Sequence, residues 1–373
     1  MPKILYVATV VKTHIMEFHI PYLKMLKEMG WETAVAAKND YDDPAECVIP
    51  YCDTYYDIPF KRNPFMPGNI KAFRMLKAVI DDGNYDIIHC HTPVGAMLTR
   101  LAAQDARKNG SKVFYTAHGF HFYKGAPLIN WLAYYPVEKY LARKTDVLIT
   151  INKEDYNLAK KSFKAGKVVY TPGVGIDINK FSKRIENRYE KRAELRIAPD
   201  DIVLLSVGEI NANKNHKVVI KALSDLKDCW YVLCGCGPLI DTNRRLADSL
   251  GISERVLMMG YRTDVADFYN IADIFIFPSL REGLPVALME AMATGLPCVG
   301  SDTRGIRELI DIGKGGMLCD ARKPSAFAKA IRILIDNKES REQMGKYNGD
   351  KVKLYSIDIV REEIMQIYEG LLK

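Results

Sequence analysis

Along the first half of the chain, short apolar runs alternate with longer stretches whose apolar positions recur at helical spacing. Residues 4–11, 32–37, 85–89, 113–116, 147–151 and 167–171 read as strands. Residues 16–29, 70–80, 95–107 and 131–143 read as helices, the first stopped by Gly30. Short strands alternating with helices predict a parallel sheet with both faces covered. A turn-rich segment, Thr171-Pro172-Gly173-Val174-Gly175-Ile176-Asp177, and a charged run over 183–196 interrupt this pattern, and it then starts again. Residues 202–207, 230–234, 256–259 and 274–277 are the next strands, with helices over 217–226, 239–250, 265–271 and 285–293. Residues 297–301 and 317–319 read as edge strands, and helices follow near 326–336 and 359–372. The fold class expected is α/β, two doubly wound parallel-sheet domains. The first spans 1–180 and the second 181–355, with 356–373 a terminal helix returning to the first. A length of 373 residues suits two cores better than one.

Composition narrows the class. With 48% hydrophobic and 27% charged residues the chain is an ordinary globular protein. No apolar run approaches the roughly 18 residues that span a bilayer, and residues 1–8 lack the features of a signal peptide, so a cytoplasmic protein is expected. The eight cysteines are scattered. Cys234 and Cys236 form a C-x-C whose side chains would share one strand face, without a second pair to complete a zinc set. Reduced, structural thiols are the reading. Of the net charge of +7, residues 1–180 carry six. Residues 59–80 hold Lys61, Arg62, Lys71, Arg74 and Lys77 and no acid, with Phe60, Phe65, Met66 and Phe73 interleaved. That stretch is either a solvated helix face with aromatics in the core or an edge that meets an anionic membrane or a lipid-linked phosphate. Nucleic acid is disfavoured, since no binding motif accompanies the modest charge.

The loops after the strands carry the candidate chemistry. A dinucleotide cradle needs glycines in the first strand-to-helix turn. Here that turn reads Val10-Val11-Lys12-Thr13-His14, so a nicotinamide dehydrogenase is disfavoured and the first domain is assigned to a non-nucleotide substrate. In the second domain, Gly208 to Asn215 follows the first strand and includes Lys214, Gly235-Cys236-Gly237-Pro238 the second, and Gly260-Tyr261-Arg262 the third. The fourth strand ends in Pro278-Ser279-Leu280-Arg281-Glu282-Gly283-Leu284-Pro285-Val286, with Glu290 farther into the helix. A helix that starts at a proline offers spare N–H groups and a positive dipole end to a diphosphate. Carboxylates beside it suit hydroxyl groups, and the combination fits a nucleotide sugar.

These motifs resemble family 4 of the nucleotide-sugar glycosyltransferases, which are retaining enzymes of the two-domain GT-B fold. The E-G-L-P-V-x-x-x-E pattern from Glu282 to Glu290 carries the resemblance, supported by His118-Gly119, the 175–181 linker, Gly208 to Lys214, Gly260 and Pro278-Ser279. It implies an interdomain active site with His118, Lys214 and Glu282 in catalysis. Donor binding is implied for Gly208, Tyr261, Arg262, Gly283, Leu284, Pro285, Val286 and Glu290. Thr13, His14 and His121 are candidate acceptor contacts, while His89 and His91 read as packing and turn residues. By family habit the donor is a UDP-sugar. Within the family the chain resembles enzymes of bacterial capsule and exopolysaccharide assembly, whose acceptors are polyprenyl-diphosphate-linked or other glycans at the inner membrane face. No metal and no other cofactor is expected, because the lone D-x-D, Asp40-Tyr41-Asp42, lies in the half assigned to the acceptor. One departure stands out: many relatives carry Arg where this chain has Glu209, a charge reversal beside a diphosphate unless Glu209 turns away or pairs with Lys214 or Arg262. Two alternatives remain open on the residues: a nucleotide-sugar epimerase or hydrolase of the same fold, and a non-catalytic sugar-nucleotide-binding subunit.

Overall fold

The computed structural model describes residues 1–184, 186–227 and 229–372. Residue 185 of the charged run and residue 373 of the terminal segment lie outside them. The chain divides into two units, Met1–Val174 together with residues from Asp358 onward, and Gly175–Ile357.

The first unit is a seven-stranded parallel sheet. Its strands are β1 (Lys3–Val10), β2 (Glu32–Lys38), β3 (Thr54–Asp57), β4 (Ile87–Cys90), β5 (Lys112–Ala117), β6 (Val147–Thr150) and β7 (Lys167–Tyr170), in the order β3-β2-β1-β4-β5-β6-β7. β1 is interior, pairing Ile4 with Thr33 on one side and with Ile87 on the other. Leu5, Val7, Ile88, Val113 and Leu148 form the core with Leu76, Ile80 and Leu98 from the covering helices. The terminal helix Ile357–Leu372 belongs to this unit from Asp358 on and drives the fully buried Tyr368 into it, where its hydroxyl meets that of Tyr6 at 2.9 Å.

The second unit is a six-stranded parallel sheet of β8 (Ile202–Val207), β9 (Cys229–Cys234), β10 (Val256–Gly260), β11 (Ile274–Phe277), β12 (Cys298–Ser301) and β13 (Gly316–Cys319), ordered β10-β9-β8-β11-β12-β13. Leu204, Tyr231, Leu233, Ile274, Ile276 and Val299 pack against Val219, Leu223, Phe327 and Ile331. The strand order reverses between β8 and β11, the point at which doubly wound sheets gather ligands at the strand C-termini.

Several expectations need correction. β3 is an added edge strand whose polar Thr-Tyr-Tyr-Asp sequence hides it. β12 is interior, between β11 and β13, so of the two strands expected at an edge β13 alone lies there. The helix expected over 16–29 breaks into a short helix Met16–Phe18, preceded by a π turn at Val11–Ile15, and the helix Ile20–Glu28, because Pro21 has no N–H to continue the ladder. That over 95–107 splits at Ala103 into Pro93–Ala102 and Gln104–Lys108. Helices Lys153–Ser162, Arg304–Leu309 and Lys338–Lys351 are additional. Part of the charged run is itself a helix, Glu186–Glu194, anchored by Arg192. That side chain is buried, donating to Asp273 Oδ2 at 2.7 Å and to the Pro199 and Asp201 carbonyls at 2.8 Å. The division between units falls at Val174, six residues before the expected 180. Ile176 N donates to Tyr355 O at 3.0 Å and Ile357 N to Ile176 O at 2.9 Å, tying 175–180 to the second unit. Cys234 ends β9 and is buried while Cys236 is exposed in the following turn, so the two do not share a strand face.

Candidate active site

In the second unit, four loops at the C-terminal ends of β8 to β11 are joined by their backbones. Gly208 N donates to Cys234 O at 2.9 Å, Gly235 N to Gly260 O at 2.7 Å, and Leu280 N to Asn213 O at 2.8 Å. Asn213 Nδ2 donates to Arg281 O at 2.9 Å. The approach demands glycine: a Cβ on Gly235, whose φ is +147°, would lie 1.9 Å from Gly208 O. This rim holds Lys214 Nζ 2.8 Å from Glu282 Oε1, both side chains largely buried, with the ammonium 4.7 Å from the centre of the Phe277 ring. The two residues named from separate loops therefore form one ion pair. Breaking such a pair strands a charge, a loss of about 3–5 kcal/mol when burial is complete.

The helix Val286–Ala293 starts at Pro285 without a side-chain cap, leaving its first N–H groups without a side-chain partner at the end that favours anions. Gly283 and Leu284 lead into it, and Gly283 is pressed from outside: a Cβ on Gly305 would sit 2.1 Å from Gly283 O. Arg304, itself buried, donates from Nε to Glu282 O at 3.1 Å and supports the loop. Glu290 accepts from Tyr269 Oη at 2.8 Å. Burial, and then the Glu290 carboxylate, raise the Tyr269 phenol well above its ordinary pKa, so it stays a donor. Ser279 Oγ, Ser301 Oγ and Thr303 Oγ1 are buried near these strand ends without a hydrogen-bond partner among the described residues. Sequence reasoning named Ser279 within its motif but passed over Arg304, Ser301 and Thr303. The S-D-T-R-G stretch after β12 was the available signal, hidden by reading β12 as an edge.

Tyr261 is exposed, and Arg262 is held by Asp264 through Nε and Nη2, both at 2.7 Å. Hydrogen bonds from Arg262, then from Lys191, hold Asp264 well below the carboxylate range. Glu209 is exposed and accepts from Asn211 Nδ2 at 2.8 Å. It pairs with neither Lys214, which Glu282 holds, nor Arg262, which Asp264 holds.

The first unit collects histidines at the C-terminal ends of β1, β4 and β5. His14 and His19 follow β1, His91 follows β4, and His118 follows β5, beside Gly119 with φ +126°. One ring nitrogen from each of His14, His19, His91 and His118 lies within 4.8 Å of the others. His91 Nδ1 is 3.3 Å from His118 Nε2. The Nε2 atoms of His14, His19 and His91 are buried without a hydrogen-bond partner among the described residues. Burial, reinforced by the neighbouring imidazoles, holds His14 at about 3 and sets His19 and His91 well below the usual value. Burial alone holds His118 at about 4. All four are neutral at pH 7.

The structure thus brings His14 and His118 together and adds His19 and His91, which the sequence reading did not select. His91 is more than a turn residue, whereas His89 does pack, between Tyr368 Oη at 2.5 Å and Thr116 Oγ1 at 2.8 Å. Thr13 lies outside the cluster, its hydroxyl 3.3 Å from Asp40 Oδ2, and Asp40 also accepts from Lys12 N. His121 lies against Tyr134, the rings tilted with centres 4.8 Å apart, and is not in the cluster.

Two surfaces of this unit bear on the basic stretch. Phe60 is buried and Phe73 packs on the core, while Phe65, Met66 and Ile70 are exposed. A larger apolar face belongs to the helix Leu128–Ala142, where Leu128, Ile129, Leu132, Val137 and Tyr140 are exposed at helical spacing, flanked by exposed Lys124, Lys139 and Arg143. The helix is pinned by Glu138, which forms a bidentate pair with the buried Arg100 at 2.8 and 3.1 Å. No helix among the described residues is long and apolar enough to cross a membrane.

Two Rossmann-like units, a charge pair beside an uncapped helix start, and an E-x7-E turn define a glycosyltransferase of the GT-B class. Residues 3–152 match the family model "Glycosyl transferase 4-like" and residues 187–351 match "Glycosyl transferases group 1". The chain is 41% identical over 376 residues to a Bacillus subtilis (strain 168) protein named as the glycosyltransferase EpsD, covering 99% of this chain and 96% of that protein. It is 28% identical over 286 residues to an Escherichia coli UDP-Gal:α-D-GlcNAc-diphosphoundecaprenol α-1,3-galactosyltransferase, covering 74% and 73% of the two chains. The crystal structure of Anabaena HepE in complex with UDP and glucose superposes with a TM-score of 0.83 at 17% identity, covering 99% of this chain and 100% of that one. The chain belongs to the family 4 glycosyltransferases, with the GT-B fold, and is an enzyme of hexosyltransferase type.

Proposed function

We propose that this enzyme transfers a sugar from a UDP-sugar, with retention at the anomeric carbon, to a polyprenyl-diphosphate-linked glycan in bacterial surface polysaccharide synthesis. The observation that carries the reading is the Lys214–Glu282 pair held beside the uncapped helix start at Val286. A dissociating glycosyl donor builds negative charge on the diphosphate and positive charge on the sugar, and preorganised groups of both signs stabilise that separation. Lys214 and the N–H groups from Gly283 to Val286 bind the diphosphate. Glu282 meets the sugar hydroxyls near the reacting carbon, and Glu290, oriented by Tyr269, accepts from the ribose. Gly208 lets the backbone approach the donor, while Tyr261 and Arg262 border the base. His118 gives a neutral imidazole to the transferred sugar. Thr13, His14 and His121 lie on the acceptor's unit. The leaving phosphate takes the acceptor proton, so the transfer step needs neither a dedicated base nor a metal.

The relatives support the substrate classes: the Escherichia coli enzyme acts between UDP-galactose and a diphosphoundecaprenol-linked sugar, and HepE binds UDP and glucose. Anionic membrane is the partner proposed for the helix Leu128–Ala142, whose exposed apolar face and flanking cations suit the headgroup boundary. The proposed contact is on a different element from the 59–80 stretch.

The test is nucleoside diphosphate release from a panel of nucleotide sugars, with and without polyprenyl-diphosphate-linked acceptor. Acceptor-dependent release, lost in Glu282→Ala, supports transfer. Equal turnover without acceptor sinks it in favour of an epimerase or hydrolase. Flotation with vesicles containing anionic lipid, abolished by Leu132→Glu together with Val137→Glu, tests the membrane face.

A further inference from the structure

The four clustered histidines come from three separate strand ends, with no short-range reason to converge. His14 and His19 leave β1, His91 leaves β4 and His118 leaves β5. Each presents a ring nitrogen within 4.8 Å of the other three. Packing alone does not account for them, since Nε2 of His14 and of His19 are buried with no hydrogen-bond partner among the described residues, and His91 Nδ1 faces His118 Nε2 rather than a hydroxyl. A hydrogen-bonded core would satisfy those atoms with hydroxyls, as it does for the neighbouring His89 between Tyr368 and Thr116. A cation bonds an imidazole lone pair where no donor reaches it.

We propose that His14, His19, His91 and His118 form a binding site for a divalent transition-metal ion of the zinc type. Four imidazoles are a nitrogen set that suits zinc, copper and nickel better than magnesium or calcium, which take oxygen ligands. His91 Nδ1 and His118 Nε2 are 3.3 Å apart, the edge of a tetrahedron with zinc–nitrogen bonds of about 2.05 Å. The widest donor separation, 4.8 Å, must close by about 1.5 Å to match that edge, within reach of rotation about side-chain bonds. The neighbouring His89 is already committed to Tyr368 and Thr116, and its ring, 4.2 Å from that of His91, keeps that imidazole in place.

Occupation of the site has a functional consequence that rests on the role given to His118 above. An imidazole bound to metal cannot also serve the transferred sugar, so the ion acts as a reversible inhibitor. Binding itself does not depend on that role, and the experiment separates the two.

The full-length protein, stripped with chelator, is titrated with Co²⁺ and the visible spectrum recorded. The expected result is one equivalent bound with intense d–d bands of tetrahedral type, displaced by Zn²⁺, with a zinc dissociation constant below about 1 μM. His19→Gln and His91→Gln should each weaken binding by about 100-fold or more, by loss of one of four ligands. His14→Gln serves as a third variant should either fail to fold, and near-UV circular dichroism checks all three. No stoichiometric binding overturns the proposal, as does binding unchanged in all folded variants. A near-ultraviolet sulfur-to-cobalt charge-transfer band would assign the metal to cysteine and overturn it too. In the transferase assay, Zn²⁺ should inhibit the unmodified enzyme reversibly and His19→Gln much less. Tight binding without inhibition would leave the metal site standing and overturn the role of His118.

Discussion

The two units share one architecture and use it with opposite electrostatics. Each gathers polar side chains at the C-terminal ends of its central parallel strands. In the second unit the gathered groups are ions in fixed pairs: Lys214 with Glu282, Arg262 with Asp264, and Glu290 under the Tyr269 hydroxyl. In the first they are imidazoles held neutral, with His14 at about 3 and His118 at about 4. The second rim holds paired charges of both signs beside an uncapped helix start, and the first holds neutral imidazoles. The same topology therefore specifies where ligands gather, while the residues at the strand ends decide which charge they meet.

Acid should break this contrast most forcefully. For a buried imidazole with a lowered pKa, the unfolded state binds more protons below its own pKa of about 6.5. The stabilising term is complete above that value and is lost as pH falls toward the folded pKa. Each such histidine removes up to about 1.4 kcal/mol per pH unit in that window. His14, His19, His89, His91 and His118 are all in the first unit, whereas in the second His216, held at about 4 chiefly by burial, is alone. Metal-free protein taken from pH 7 to 5 should lose amide protection in the first unit well before the second. Equal loss in both would refute the contrast.

A charge deletion in the second unit comes next. Glu282→Ala should lower kcat by about 10²–10³-fold, in the range found for removing one preorganised electrostatic group. Adding Lys214→Met should cost much less than the product of the single effects, because the partners act together. Full additivity would mean that the pair is not a functional unit.

Gly235→Ala should destabilise the second unit by at least about 2 kcal/mol, since its Cβ would overlap Gly208 O at 1.9 Å and φ is +147°. Chemical denaturation should show the loss without a matching change in the first unit. The smallest effect expected is that of Tyr269→Phe. It removes one hydrogen bond to Glu290, worth about 1.5–3 kcal/mol for a charged acceptor, and should raise the donor KM by roughly tenfold or more with a smaller change in kcat. A change confined to kcat would move Glu290 from the ribose to the reacting sugar.

Much of this was legible in the residue order, but unevenly. The runs over 202–207 and 274–277 are β8 and β11 residue for residue, because a strand buried on both faces is nearly continuously apolar, here broken only by Ser206. β3 escaped because an edge strand is free to be polar. The helix Glu186–Glu194 escaped because a charged run reads as solvated, while here Arg192 is buried against Asp273 and main-chain carbonyls. The E-x7-E turn was readable because its two acids, its glycine and its proline are neighbours in sequence. The Lys214–Glu282 contact joins residues 68 positions apart and was not.

The sequence by itself determined the two parallel sheets, the turn between them, and the individual rim residues His118, Lys214, Glu282 and Glu290. Periodicity and local motif are short-range properties, and a chain states them outright. The tertiary structure alone decided which of these residues are partners: that Lys214 binds Glu282 rather than Glu209, and that His19 and His91 join His14 and His118. Pairing depends on which strand lies beside which. In the order β2-β1-β4-β5, the residues that meet at one sheet edge are separated by up to about a hundred positions along the chain.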